Sequence, residues 1–378
     1  MRIAFLWCSV VLTLTQFAYA DPTISDVKVF SGHPWKDTVI RYTIEGTLDN
    51  WCCLFFRVKD KKTDMSYGPY YFDEAKVTPG RHELRWKAHE ALSIRSDSAV
   101  FEVGLVDSPQ YCVIDLSGGA NAVKYPVTYR MNPPVGSFNT DEYKTTKLVL
   151  KRIEPGSFGN SPWIITLSNP FYMGIYEVTL KQYMLVTGKK PNYTIDDMYP
   201  VETVSYDDIR GSNRGSKWPA SNDVDADSFM GLLRKKTGIA FDLPTDSQWE
   251  YSCRAGTTTR FYWGFDANDA YFWYKENANG KCHIVGLKKP NAWGLYDMSG
   301  NAQEWCLDYY LDGQGYVYTG VDPKGPEYSP SAVPNRVLRG GTSSDSASAC
   351  YSGSSSRRGQ SHDIGYGEFG FRVAMPWE

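Results

Sequence analysis

The residues with the most chemical reach crowd the last stretch of the chain. Between Arg336-Val-Leu-Arg-Gly-Gly341 and Gly370-Phe-Arg-Val-Ala-Met375 lie 28 residues, 342–369, which carry nine serines, Arg357, Arg358, His362, Tyr351, Tyr366 and one cysteine, Cys350. Ile364 is their single large aliphatic side chain. A segment this polar cannot form a core of its own, so its side chains are available to a ligand. The flanking runs, β-like with adjoining glycines, read as a strand pair, and the insert is far too long for a hairpin turn. Other reactive groups are scattered. Cys282 and His283 are adjacent, and in a strand they would point to opposite faces and fail to meet as nucleophile and base. His33, His82, His89, His283 and His362 show no metal-ligand spacing, and no cysteine pair is CxxC, which argues against a structural zinc site.

The elements that must position this insert follow from the rest of the chain. Arg2, the apolar run from Ile3 to Leu14 and Ala18-Tyr-Ala20 before Asp21 have the form of a secretory signal, residues 1–20. The expectation is a secreted, periplasmic or cell-surface protein starting at Asp21, without a later transmembrane segment. Of the eight cysteines, Cys8 lies in the signal; the remaining seven are an odd count in a compartment that permits disulfides. A net charge of −3 gives no basic stripe, so nucleic acid is excluded as the expected partner. Residues 21–125 alternate with period two in short runs, which predicts an all-β, immunoglobulin-like sandwich. Cys52 or Cys53 could bridge to Cys112 within it, the connectivity staying open.

Residues 126–147, with Asn132-Pro-Pro-Val-Gly136, read as a linker. From 148 to 378 the pattern is α+β. Thr179 with Gln182 and Thr245 with Gln248 are capping boxes, and Asp225 is placed to cap a helix carrying Phe229, Leu232 and Leu233. After Gly256 periodicity is weak, so metal, disulfide or aromatic packing must pin the chain. Aromatic residues make up 15% of the sequence, enough for the last of these.

Three segments carry a resemblance: Leu243-Pro-Thr-Asp-Ser-Gln-Trp-Glu-Tyr-Ser-Cys-Arg-Ala-Gly256, Asn291-Ala-Trp-Gly-Leu-Tyr-Asp-Met-Ser-Gly-Asn-Ala-Gln-Glu-Trp305, and Arg339-Gly-Gly with Gly370-Phe-Arg-Val373. Together with Glu177-Val-Thr and Gln182-Tyr183 they resemble the formylglycine-generating enzyme, or sulfatase-modifying factor, family. The resemblance implies a C-type-lectin-like fold with little regular structure and the two terminal strands at its centre. It also implies a calcium loop, with Asp297 and Glu304 supplying side-chain oxygens and Gly300 and Ala302 carbonyl oxygens. The Asp266, Asn268, Asp269 cluster fits calcium less well and reads as a polar turn.

The oxidase members of the family hold Cu(I) with two cysteines in the loop after the Gly-Gly pair. Here Cys350 falls on the second position and Asp345 on the first, and one thiolate is too few for a soft monovalent ion. Relatives without the copper cysteines imply a disulfide between Cys350 and Cys253 instead. The Ser-rich stretch 343–356 is also similar to the terminal segment of the variable proteins of diversity-generating retroelements, where small polar residues and Tyr are exchanged on a fixed frame. The expected function is therefore a non-catalytic ligand-binding protein on a calcium-stabilised scaffold. Its expected contacts are Ser344, Asp345, Ser346, Ser348, Tyr351, Ser354, Ser355, Arg357, Arg358, His362 and Tyr366, and its ligand a protein or glycan of another cell surface. A divergent copper-dependent oxidase acting on a sulfatase cysteine, with Cys350 catalytic, is the alternative.

Overall fold

The computed structural model describes residues 23–31, 38–45, 53–60, 66–72, 80–86, 99–106, 109–134, 137–191, 196–311, 319–329, 334–353, 357–365 and 367–376. The chain divides into two compact units, Met1–Tyr111 with Thr128–Pro133, and Cys112–Val127 with Pro134–Glu378. Signal residues 1–20 lie outside the described residues, as do Cys52 and the side chain of Cys53.

The first unit contributes β1 (Thr23–Ser31), β2 (Thr38–Glu45), β3 (Cys53–Asp60), β4 (Ser66–Phe72), β5 (Gly80–Trp86) and β6 (Ala99–Val106). They form two antiparallel three-stranded sheets, β1-β2-β5 and β4-β3-β6. Strand β4 escapes the sequence reading because Gly68 and Pro69 interrupt its alternation.

Strand β7 (Tyr111–Asp115), read from sequence as the end of the first domain, lies in a five-stranded sheet of order β18-β12-β9-β7-β8. Its partners there are β8 (Val127–Arg130), β9 (Lys147–Ile153), β12 (Phe171–Gly174) and β18 (Ala374–Pro376). Cys112, Val113 and Ile114 are all buried, the continuous apolar run of an inner strand rather than the alternation of a sandwich face. The stretch 126–147 is likewise structured, holding β8 and the short helix α1 (Asp141–Thr145). Between β9 and β12 runs the hairpin β10 (Gly156–Asn160) and β11 (Trp163–Leu167), extended by β14 (Gly320–Val321).

The four-stranded sheet β16-β15-β13-β17 carries the terminal insert. It consists of β13 (Gln303–Tyr309), β15 (Asn335–Arg339), β16 (Arg358–Ser361) and β17 (Phe369–Gly370). This corrects the predicted terminal strand pair. β15 pairs with β13 and with β16, which lies inside the insert, whereas Phe369–Gly370 runs parallel to β13 and Ala374–Pro376 joins β12 in the other sheet. Gly-Gly341 and the Arg358–Ser361 run thus turn an apparent long loop into a strand-bearing one.

Helices α2 (Leu180–Thr187) and α5 (Asp246–Arg254) start at the expected capping boxes of Thr179 and Thr245. The short α3 (Tyr206–Arg210) is capped by Ser205. Helix α4 (Phe229–Thr237) is capped by Ser228 rather than Asp225, whose carboxylate instead accepts from the Asn213 and Arg214 amides. Residues 255–302 contain no helix or strand. Rings do the pinning: Phe261, Trp263 and Tyr271 stack in series with centroids 4.4 and 4.9 Å apart, and Phe272 stacks on Tyr274 at 4.1 Å. The Asp266–Asp269 stretch is a polar turn, as read, with Asn268 Oδ1 accepting from the Ala270 amide.

Candidate functional site

The terminal insert is tied down at both ends. Ser343 N–H donates to Asn301 O at 2.8 Å, and Asp345 accepts from the Thr342 amide and hydroxyl and from Arg358 at 2.8 Å. Ser344 donates through its amide and hydroxyl to Glu368, which belongs to the far end of the same insert. Ser346 and Ser348 bond each other at 3.1 Å. On the other side, His362 Nδ1 lies 2.9 Å from both carboxylate oxygens of Asp207 on α3, and the His362 carbonyl accepts from the Asp207 amide.

Beneath the insert lies a buried ionic network. Arg339 is 1% exposed and donates to Asp246, to Glu250 and, at 2.7 Å, to Gly353 O. Arg357 reaches the second oxygen of Asp246 at 2.9 Å, and Arg254 holds Glu250. Each acid sits in α5, so the helix that follows Thr245 exists to present two carboxylates to the insert's base. Sequence reasoning missed this network, although the i, i+4 spacing of Asp246 and Glu250 marks them as sharing one helix face.

This geometry sorts the predicted contacts. Arg357 and His362 are spent on Asp246 and Asp207. Tyr351 meets Phe261 edge-on at 5.1 Å with Arg260 over its ring, so it is part of the aromatic packing rather than a free anchor. Ser344, Ser346, Ser348 and Arg358 are exposed, with Asp345 half-buried between them. Ser354, Ser355 and Tyr366 lie outside the described residues.

Among the described residues no group of sulfurs is arranged to hold a metal. Cys350 is buried, faces the Ser346 carbonyl at 3.7 Å, and its thiol is pushed up well above the ordinary range by burial and then by Asp345. Cys253 is buried with Sγ 3.3 Å from Met298 O, and burial raises its thiol to about 12. The pairing implied by the resemblance is not formed: both are free thiols in this structure, each turned to a backbone carbonyl. Cys282 and Cys306 are also buried, Cys282 against Asn301 O, while His283 stacks on Trp273 at 3.8 Å. Cys282 and His283 thus serve different neighbours.

The predicted calcium loop curls tightly: Asp297, Gly300 and Asn301 have φ of 54°, 72° and 62°. A Cβ at Gly300 would lie 1.9 Å from Trp273 O, so only glycine fits. Asp297 accepts from Gly286 N–H through Oδ2 at 2.6 Å, while its buried Oδ1 has no partner among the described residues. Burial raises its carboxyl to about 6. That open oxygen fits a hard cation. Glu304 does not, because Arg372 takes both its oxygens at 2.6 Å and Trp249 Nε1 donates to Oε2 at 2.8 Å. The four predicted donors therefore do not fit one calcium site as a set.

Glu177, missed as a site residue, completes this cluster. Its fully buried carboxylate accepts from the Ala302 amide at 2.8 Å and from Asn301 Nδ2 at 2.9 Å, fixing the loop's backbone. Burial, then the charges of Asp297 and Glu304, raise its carboxyl well above the usual range.

The model of the sulfatase-modifying factor enzyme 1-like domain matches residues 134–376. A chaperone protein LppX of Paenibacillus barcinonensis is 32% identical over 39% of this chain and 64% of its own length. The formylglycine-generating enzyme of Bos taurus is 32% identical over 35% of this chain and 38% of its own length. The matches thus span less than two thirds of either relative. Among solved structures, Treponema denticola variable protein 1 aligns with a TM-score of 0.49 and 24% identity, covering 65% of this chain and 98% of that one.

Proposed function

The chain belongs to the sulfatase-modifying factor enzyme 1-like family, and on that premise we propose that it is a non-catalytic, ligand-binding member that presents the exposed part of 342–369. The observation that carries this reading is Cys350: the insert's one thiol is buried, raised in pKa and turned to a carbonyl, with Asp345 beside it engaged by Arg358. A buried thiol held neutral is a poor nucleophile, and a single sulfur is too few for a two-thiolate Cu(I) site. Around it, Ser344, Ser346, Ser348 and Arg358 form a small-polar surface whose frame is fixed from below. Such a frame tolerates exchange at exposed positions, which is the property a diversified binding loop needs.

The expected results are two. Incubation of the full chain with Cu(I) and a Cys-x-Pro-x-Arg peptide gives no formylglycine, and turnover would replace this reading with an oxidase. Changing Ser346 and Ser348 together to Tyr shifts stability by less than about 0.5 kcal/mol per site, whereas Tyr351→Ala lowers the melting temperature because it removes a ring from the packed aromatic cluster.

Export supports a ligand on another cell surface, a protein or a glycan; Arg2 and the apolar run Ile3–Leu14 are the features that point to it. The two sheets of the first unit are read as the faces of an immunoglobulin-like sandwich that serves as a spacer or docking module. Calcium is placed at Asp297, whose buried Oδ1 has no partner among the described residues; the Gly300 and Ala302 carbonyls enter only as donors that the family resemblance names, and Glu304 is taken by Arg372. Adding calcium to chelator-treated protein is expected to raise the melting temperature, by up to about 4 kcal/mol of stabilisation at a thousandfold excess over Kd. Asp297→Asn should erase that increment. A melting temperature indifferent to calcium in the unsubstituted protein would remove the ion from this reading.

A further inference from the structure

Around the insert, Arg254, Arg339, Arg357 and Arg358 are each held by a carboxylate of Glu250, Asp246 or Asp345. Arg260 is different. It is exposed and has no carboxylate partner among the described residues, yet its place is fixed. The Arg260 carbonyl accepts from the Ser352 amide of the insert at 2.8 Å, and its guanidinium lies over the ring of Tyr351, 5.7 Å from the centroid. A guanidinium held against an aromatic face is ordered without spending its N–H fork, which stays open to an anion.

The surface beside Arg260 is aromatic and hydroxylated. Phe261, next in the chain, is buried in a cluster with Phe272, Tyr274 and Cys350. Trp263, Ala347 and Tyr351 pack on that cluster and are only half-buried, so each keeps part of its surface in water. Ser346 and Ser348 flank Ala347 and are exposed. One uncommitted cation, two partly open rings and a pair of hydroxyls therefore meet where the insert packs on the 255–302 segment.

From this arrangement we infer that Arg260 takes the carboxylate of an acidic sugar, with Trp263 and Tyr351 supplying apolar surface for the C–H face of the sugar ring and Ser346 and Ser348 supplying hydroxyls for its own. A guanidinium by itself fits the carboxylate of a sugar or of a peptide side chain equally well. The neighbours favour the sugar, because hydroxyls that both donate and accept, set beside ring faces, answer a polyhydroxylated ring. Tyr351 acts here by holding Arg260, in keeping with its packed position. The inference rests on the ligand-binding reading above and names the class of its ligand.

The test follows the Tyr351 backbone amide of the full chain by NMR while methyl glucuronide, the methyl glycoside of N-acetylneuraminic acid, methyl glucoside or glutarate is titrated in. Saturable shifts with at least one acidic sugar are expected, with the neutral glucoside and the sugar-free glutarate each roughly tenfold weaker or more. Arg260→Gln should weaken binding of that acidic sugar by a similar factor at an unchanged melting temperature, because the side chain is exposed and forms no ion pair among the described residues. Arg260→Lys should recover part of the loss, since it keeps the charge and not the fork. No saturable shift with either acidic sugar, an equal response to the glucoside, or parental affinity in Arg260→Gln would overturn the inference. Glutarate binding as tightly as the acidic sugar would also overturn it, in favour of an acidic protein segment. A ligand lost on changing Ser346 and Ser348 to Tyr but retained by Arg260→Gln would overturn the inference and leave the proposed function standing.

Discussion

Arg339→Met is expected to destabilise the second unit by about 3 kcal/mol, because it removes the cation shared by two buried carboxylates and leaves each with a single arginine, Asp246 with Arg357 and Glu250 with Arg254. Arg339, Asp246 and Glu250 are 1%, 1% and 7% exposed, so water cannot replace the lost guanidinium. The Arg339 bond to Gly353 O is lost as well, which frees the middle of the insert. In a unit of this size the loss corresponds to a fall in melting temperature of roughly 10 °C. Urea unfolding followed by tryptophan fluorescence checks it. A control separates charge from packing: Arg339→Met combined with Asp246→Asn and Glu250→Gln should recover part of the loss, since it removes the buried carboxylates and leaves only the partly exposed Arg357 and Arg254 charged. A single variant within 1 kcal/mol of the parent would mean that the insert does not depend on this network.

Arg372→Met is the second large effect, and it is expected to be pH-dependent with a defined sign. The guanidinium holds both oxygens of Glu304 and opposes the charges of Asp297 and Glu304 at Glu177. Glu177 already stands well above the ordinary carboxyl range through burial and those two charges, and removing Arg372 pushes Glu177 and Asp297 further up. A carboxyl raised on folding contributes stability below its unfolded pKa, and that contribution is lost as pH rises through the folded pKa. The variant should therefore show its smallest deficit near pH 4.5 and a deficit of about 3–5 kcal/mol at pH 8, where the stranded carboxylates must ionise. Denaturant titrations at several pH values read this directly. A deficit constant across the range would show that Arg372 acts through packing alone.

Much of the frame was legible from local signals. The capping boxes at Thr179 and Thr245 needed only i, i+3 spacing, and helices α2 and α5 begin there. The family resemblance rested on ordered motifs, and the match over 134–376 bears it out. Ser228 displaced Asp225 as a cap because Asp225 found two backbone donors in a distant turn, which no local pattern announces.

What the sequence by itself determined was composition: an insert too polar to fold alone, one thiol in it, and an aromatic load able to replace helices and strands across 255–302. What only the tertiary structure decided was which polar groups are spent. Arg357 and His362 have the chemistry of ligand contacts, and they become structural because Asp246 and Asp207, more than a hundred positions earlier, arrive beside them. Gln303 reads as an ordinary strand residue, and the fold buries its carboxamide with no side-chain partner among the described residues. Hydrogen-bonding capacity is a property of the side chain, but its satisfaction is fixed by neighbours distant in sequence, and so it is legible only in the folded chain.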